Sequence, residues 1–108
     1  MVDKIELTPG ERLVLTRRRK SLSQPEAAKR RGVSLDRYGS WELDMETKDQ
    51  PNVEIEDVQD FETCFIMRRR ANMTQRELAT KVNRSRLWVH QMERGKQPPE
   101  VLKQYWGV

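Results

Sequence analysis

The chain has 108 residues with 21 Lys or Arg against 17 Asp or Glu, and its formal net charge is +4. Its only cysteine, Cys64, excludes a disulfide framework and a thiolate metal site, and its apolar helical surroundings predict a small core residue. No apolar run approaches the ~20 residues of a membrane span, and no signal peptide opens the chain. We therefore expect a soluble, cytoplasmic protein.

The first predicted helix begins at Thr8-Pro9-Gly10-Glu11. Thr8 can cap it, Pro9 suits the first helical position and Glu11 closes a capping box. The helix should run to about Lys20.

A helix, a tight turn and a second helix follow. Ser23-Gln-Pro-Glu26 is a further capping box that opens the first of them. Gly32 falls at the turn, where glycine tolerates a positive φ, and Ser34 then caps a helix that runs through Trp41.

The same pattern returns at a constant offset of 51 residues, as Leu22–Ser34 and Met73–Ser85 show. The second occurrence has its own capping box from Thr74, Asn83 at the turn, and Ser85 as the next cap. A fixed period of this kind indicates a duplicated unit, so we predict two copies.

Pro51 disfavours helix at Gln50 and marks the junction, which divides the chain into residues 1–51 and 52–108. The segments Val2–Leu7 and Val53–Val58 precede the first helix of each copy, and their pattern does not decide between extended chain and helix. A last helix starts at Pro98-Pro99-Glu100 and stops at Gly107. Apolar positions at helical spacing predict these inner faces: Ala27, Ala28, Val33, Tyr38 and Trp41 in copy one, and Leu78, Ala79, Val82, Val89 and Met92 in copy two.

Charge is unevenly distributed along the chain. The segment from Glu42 to Glu62 is rich in acidic residues and contains a single basic residue, Lys48. The rest of the chain is therefore strongly basic, which suits a polyanionic partner.

These motifs resemble the Cro and lambda-repressor type of helix-turn-helix. Copy two matches the family pattern closely, through Met73-Thr74-Gln75, Glu77-Leu78-Ala79, Ser85-Arg86, Val89 and Met92-Glu93-Arg94-Gly95. Copy one matches through Leu22-Ser23-Gln24, Glu26-Ala27-Ala28, Gly32-Val33-Ser34, Tyr38 and Trp41-Glu42, but has Leu43-Asp44 in place of the closing arginine and glycine. The resemblance implies an all-α fold of two small tandem helix-turn-helix units that are packed together or dimerised.

The resemblance also implies a DNA-binding site on copy two. Its second helix would lie in the major groove and offer these residues to bases: Arg86, Leu87, His90 and Gln91. Phosphate contacts are expected from Gln75, Ser85, Trp88, Arg94 and Lys96. Trp88 is expected to be exposed, and Arg84 stands where the family usually has an apolar residue.

Copy one is a poorer base reader at the same positions. Its candidate DNA contacts are Gln24, Ser34, Leu35, Asp36, Arg37 and Ser40, supported by the basic stretches Arg17–Lys20 and Lys29–Arg31. Copy one either contacts a different half-site weakly or has become a scaffold for pairing and partner binding.

We expect a sequence-specific transcriptional regulator bound to double-stranded DNA, a repressor of the kind that phages or mobile elements carry, by analogy. The alternative is a protein-interaction regulator, such as an antitoxin or an inhibitor of host machinery, that binds its partner through copy one or the acidic segment 42–62. No pattern supports an enzyme, and no cofactor or metal is expected.

A homodimer is expected because the last helix carries more apolar surface than we expect so small a unit to cover: Val101, Leu102, Tyr105 and Trp106. The competing expectation is that the two copies pair within one chain.

Overall fold

A computed structural model describes residues 5–108, and within this range the fold is all-α with seven helices and no strand. The helices are α1 (Pro9–Arg19), α2 (Gln24–Arg30), α3 (Leu35–Glu42), α4 (Asp60–Arg70), α5 (Gln75–Val82), α6 (Arg86–Met92) and α7 (Glu100–Trp106). The all-α expectation is confirmed. None of the described helices has the length and hydropathy required to cross a membrane.

The chain divides into two compact units: Glu6–Glu56, here the first unit, and Asp57–Val108 with Ile5, here the second unit. The division falls after Glu56 rather than after Pro51, because Val53 packs against the core of the first unit. Residues 53–58 and 5–7 form neither helix nor strand, and residues 1–4 of the undecided Val2–Leu7 segment lie outside the described residues.

The predicted caps begin the helices as expected. Thr8, Ser23 and Thr74 each accept a hydrogen bond from the backbone of a glutamate three residues on, and that glutamate bonds back to the cap. Ser34 and Ser85 cap α3 and α6 through their side-chain oxygens. These bonds satisfy N–H groups that a helix start leaves without an intrahelical partner.

Each unit turns its chain at three equivalent positions that all have positive φ. The pairs, separated by the 51-residue offset, are Ser21 (55°) and Asn72 (54°), Gly32 (67°) and Asn83 (54°), and Asp44 (56°) and Gly95 (78°). The sequence predicted the middle pair. The outer pairs show that the repeated backbone path is kept by residues of different type.

Both units have their own apolar core. In the first unit α3 packs on α1 and α2, around Leu13, Ala27, Ala28, Tyr38 and Trp41. In the second unit α5 packs on α6 and α7, around Cys64, Leu78, Ala79, Val89, Met92 and Leu102. The predicted inner faces are confirmed, Val33 and Val82 lie half-buried at their edges, and Cys64 is fully buried.

Helix α7 is part of the second core, which changes the argument for a dimer. Leu102 is fully buried, and Trp106 packs half-buried against the same core. Val101 is also half-buried, and only Tyr105, 40% exposed, offers much apolar surface. The excess of apolar surface predicted for this helix is wrong for Leu102, because the second unit covers this residue itself.

Candidate nucleic-acid interface

Helix α6 of the second unit presents one covered and one open face. Val89 and Met92 are fully buried against the core. Arg86, Leu87 and His90 are exposed, with Leu87 61% exposed. Three of the four predicted base contacts therefore point away from the core, and the helix length places them within about one and a half turns.

The fourth predicted base contact, Gln91, is half-buried. Its side-chain oxygen accepts a hydrogen bond from Nε2 of Gln97 at 3.1 Å. The side-chain amide of Gln91 is thus oriented by Gln97, a residue that follows α6. The helical periodicity of α6 could not predict this contact.

The turn into α6 is fixed by local bonds. Asn83 ends α5 in the left-handed conformation at φ 54°, and Oγ of Ser85 accepts from the backbone N–H of Trp88 at 3.0 Å. Ser85 is therefore engaged as a cap, and its predicted contact with phosphate stays a prediction.

Trp88 differs from its expected exposure. It is half-buried and packs against the second core, and the guanidinium of Arg84 lies 5.5 Å from its ring centroid. Arg84 itself is exposed, so its place at a usually apolar position is accommodated by stacking on Trp88 rather than by burial.

A buried ion pair holds α6 to the rest of the second unit. Nε of Arg68 lies 2.6 Å from Oε2 of Glu93, and Nη2 donates to Oε1 at 3.0 Å. The Glu93 side chain is only 1% exposed. Nη1 of Arg68 also donates to the carbonyl of Met73 at 2.8 Å, so one side chain joins α4, the start of α5 and the end of α6.

Gln75 belongs to this network. Its Nε2 donates to Oε1 of Glu93 at 2.9 Å, because a buried carboxylate needs several donors. The sequence argument placed Gln75 at a phosphate. The structure uses one N–H of its amide internally and leaves the second N–H and the α5 start for such a contact.

The first unit has the same network at the same offset. Arg17 pairs with the buried Glu42 at 2.7 Å, and Nε2 of Gln24 donates to Glu42 at 2.8 Å. Burial and a hydrogen bond to Glu42 raise the pKa of Tyr38 above its usual value. Arg17 and Gln24 are thus engaged inside the unit, and their predicted contact with a DNA backbone stays a prediction. The joint recurrence of Arg, Gln and Glu at one offset was the sequence signal for this network.

The positions after α6 are open and cationic. Arg94 and Lys96 are exposed on either side of Gly95, which has φ 78°. The positive φ of Gly95 favours glycine, and a Cβ there would make a tight contact, 3.0 Å from the ring of Phe61.

The corresponding surface of the first unit is different. Leu35 and Asp36 are exposed, Ser34 is a cap, and Ser40 is half-buried. Arg37 lies over Trp41 at 5.2 Å, donates to Asp49 at 3.1 Å and stands 3.8 Å from Glu46. Its guanidinium is therefore held by the acidic segment that follows α3.

No group of three or more His, Cys, Asp or Glu residues within 5–108 has the arrangement to hold a metal ion.

Comparison with known proteins agrees with this geometry. Residues 66–104 match the family model described as a helix-turn-helix domain. No curated protein and no solved structure matches the chain. The matched segment runs from within α4 through α5 and α6 into α7. The match supports a helix-turn-helix DNA-binding family for this part of the chain.

Proposed function

We propose that the protein is a sequence-specific DNA-binding transcriptional regulator that reads the major groove with α6. The observation that carries this is the two-sided character of α6. Its inner face is locked by Val89, Met92 and the Glu93 network, while Arg86 and Leu87 stand exposed near its first turn. A rigid support with open side chains near the helix start is what groove reading requires.

Each exposed residue has a chemical role in this proposal. Arg86 would donate a bidentate pair to guanine, and Leu87 would touch a thymine methyl group. His90 and Gln91, one turn further on, would complete the base contacts. Phosphates would be bound by the remaining candidates: Arg94, Lys96, Ser85 and the free side of Gln75 at the positive start of α5. For Trp88, half-buried, we propose support of the helix start beside one DNA strand.

The two units are proposed to be tandem copies, of which the second is the principal reader. The recurring network, caps and left-handed turns at one offset support this duplication. A repressor role and an origin in a phage or mobile element rest on analogy with the Cro type. Acting on DNA, the protein would work inside the cell without enzymatic chemistry.

Selection of binding sites from random duplex DNA tests the proposed function. We expect the full chain to enrich one motif, and the Arg86→Ala variant to lose preference at one base pair while keeping the others. The Leu35→Ala variant, changed at the equivalent position of the first unit, is the matched control and should enrich the same motif as the wild type. Failure to enrich any motif would contradict the proposal.

A protein-binding role is a second candidate for the first unit. The observation that favours it is that Arg37, the only cation of α3, donates a hydrogen bond to Asp49 and lies over the ring of Trp41. Its guanidinium is therefore engaged within the unit and is less available to DNA.

The homodimer stays a proposal, with Tyr105 as its most exposed candidate contact.

A further inference from the structure

The first unit exposes apolar side chains where the second exposes cations. Leu35, Leu43 and Met45 are 46%, 60% and 77% exposed, and they account for three of the five large exposed hydrophobic residues among those described. At the 51-residue offset their counterparts are Arg86, Arg94 and Lys96, all exposed. The surface that would meet DNA in the second unit has therefore become apolar in the first. We name the surface of Leu35, Gly39, Leu43 and Met45 the α3 face.

Gly39 leaves the middle of this face without a side chain, and the packing of the fold does not explain why. It lies inside α3, between Leu35 and Leu43 at four-residue spacing, so the three positions follow one side of the helix. Glycine inside a helix makes the helix less stable than alanine does at the same position. Yet a Cβ at Gly39 would meet no atom within 4 Å, and Gly39 does not have a positive φ. Neither space nor backbone conformation requires glycine, whereas close approach of another chain would use it.

The surroundings of the α3 face are acidic. Asp36 is exposed next to Leu35 in α3, and Arg37 is paired with Glu46 and with the exposed Asp49. The acids outnumber Arg37 and such a surface disfavours phosphate, so DNA is not the partner that we assign to it. Pairing of two α3 faces would bring the same acids of two chains together, which disfavours a second copy.

We propose that the α3 face docks an amphipathic helix of another protein, with apolar anchors for Leu35, Leu43 and Met45 and with Lys or Arg on its flanks. A helix whose apolar side settles over the gap at Gly39 follows the usual helix-in-groove mode of recognition. The acidic rim selects cationic flanks and speeds the encounter. This goes beyond DNA reading by α6 and does not depend on it.

The probe for this proposal is a phage-displayed library of random peptides of roughly four helical turns, selected on the full chain. Counter-selection uses the variant Leu35→Arg/Leu43→Arg/Met45→Lys, which carries the second unit's residues at these positions. We expect enriched peptides that combine large apolar residues at helical spacing with Lys or Arg. Synthetic copies should bind the wild type and lose at least about tenfold in affinity on Leu43→Arg, as loss of an apolar anchor predicts.

Gly39→Ala separates docking from folding. It should raise the midpoint of chemical denaturation, because alanine favours helix, and at the same time weaken the synthetic peptide. Lys29→Ala, an exposed change on α2 outside the face, should leave peptide affinity unchanged. Binding of the selected DNA motif is measured on Gly39→Ala and Leu43→Arg and is expected to persist, so a failure of docking and a failure of DNA reading are distinguishable.

Three results would overturn the proposal: no enrichment that depends on the α3 face, enrichment of acidic peptides only, or Gly39→Ala peptide affinity equal to wild type. A dimer in solution that Leu43→Arg dissociates would assign the face to a second copy and would also overturn it.

Discussion

Gly10 and Gly39 both lie in helices of the first unit, but their surroundings are opposite. A Cβ at Gly10 would stand 2.6 Å from the carbonyl oxygens of Trp41 and Glu42, whereas one at Gly39 would meet nothing within 4 Å. We expect Gly10→Ala to destabilise the protein by about 1–3 kcal/mol, since the backbone must shift. Gly39→Ala should stabilise it by about 0.5–1 kcal/mol. Urea unfolding followed by circular dichroism measures both, and equal effects would contradict the packing described for Gly10.

Cys64 is predicted to be unreactive while the protein is folded. Burial raises the pKa of its thiol to about 12, and the side chain is fully buried. The thiolate is the reactive form, so a thiol reagent at pH 8 should label native protein very slowly. Labelling in denaturant is the control and should be rapid. Fast labelling of the native chain would show that the second core opens readily.

Single residues show where sequence reasoning ends. The resemblance implied an outward-facing Arg86, the apolar helical surroundings of Cys64 predicted its burial, and both are found. Gln75, Trp88 and Leu102 differ from expectation because their contacts come from elsewhere in the chain: Glu93, the second core and α7 packing. The helical periodicity of a sequence predicts which side of a helix a residue lies on, but it does not identify the residues that pack over that side.

At the scale of elements, local chemistry predicts where helices begin. Capping boxes at Thr8, Ser23 and Thr74 and the caps at Ser34 and Ser85 all form. These signals work because donor and acceptor lie three residues apart, so no tertiary information is needed. The end of the first unit was less predictable, because it depends on packing of Val53.

The Arg68–Glu93 pair is predicted to be the main polar lock on α6. Arg68→Met should cost about 3–5 kcal/mol, because it leaves a buried carboxylate without its cation. Replacing both residues, as Arg68→Met with Glu93→Leu, should recover most of that loss. Urea unfolding of the two single variants and the double variant forms the cycle that measures the pair.

The matching experiment in the first unit uses Arg17 and Glu42. Because the geometry is repeated, with 2.7 Å against 2.6 Å between the paired atoms, a similar loss is expected from Arg17→Met. If Arg68→Met were neutral while the chain stayed folded, the pair would not be what holds α6.

At the scale of the whole molecule, the two units repeat their caps, left-handed turns and buried ion pair at one offset, but they expose different side chains. The second exposes Arg86, Arg94 and Lys96, and the first exposes Leu35, Leu43 and Met45. The sequence alone predicted that the first unit is a poorer base reader. It could not show that Arg37 is held by Asp49, since that bond depends on the path of the acidic segment.

Binding to DNA is predicted to weaken with salt because it rests on phosphate neutralisation. The logarithm of affinity should fall linearly with the logarithm of salt concentration, and Arg94→Ala or Lys96→Ala should each make the slope shallower by about one unit. Lys48→Ala, which removes an exposed cation within the acidic segment, is the control and should leave the slope unchanged. A wild-type affinity independent of salt would contradict phosphate binding.

The most direct test of the central claim is a gel-shift titration of the selected duplex with wild type, Arg86→Ala and Leu35→Ala. If α6 reads the major groove, Arg86→Ala should cost about 1–3 kcal/mol of binding free energy and Leu35→Ala almost none. The contradicting result is unchanged affinity for Arg86→Ala, or an equal loss in both variants.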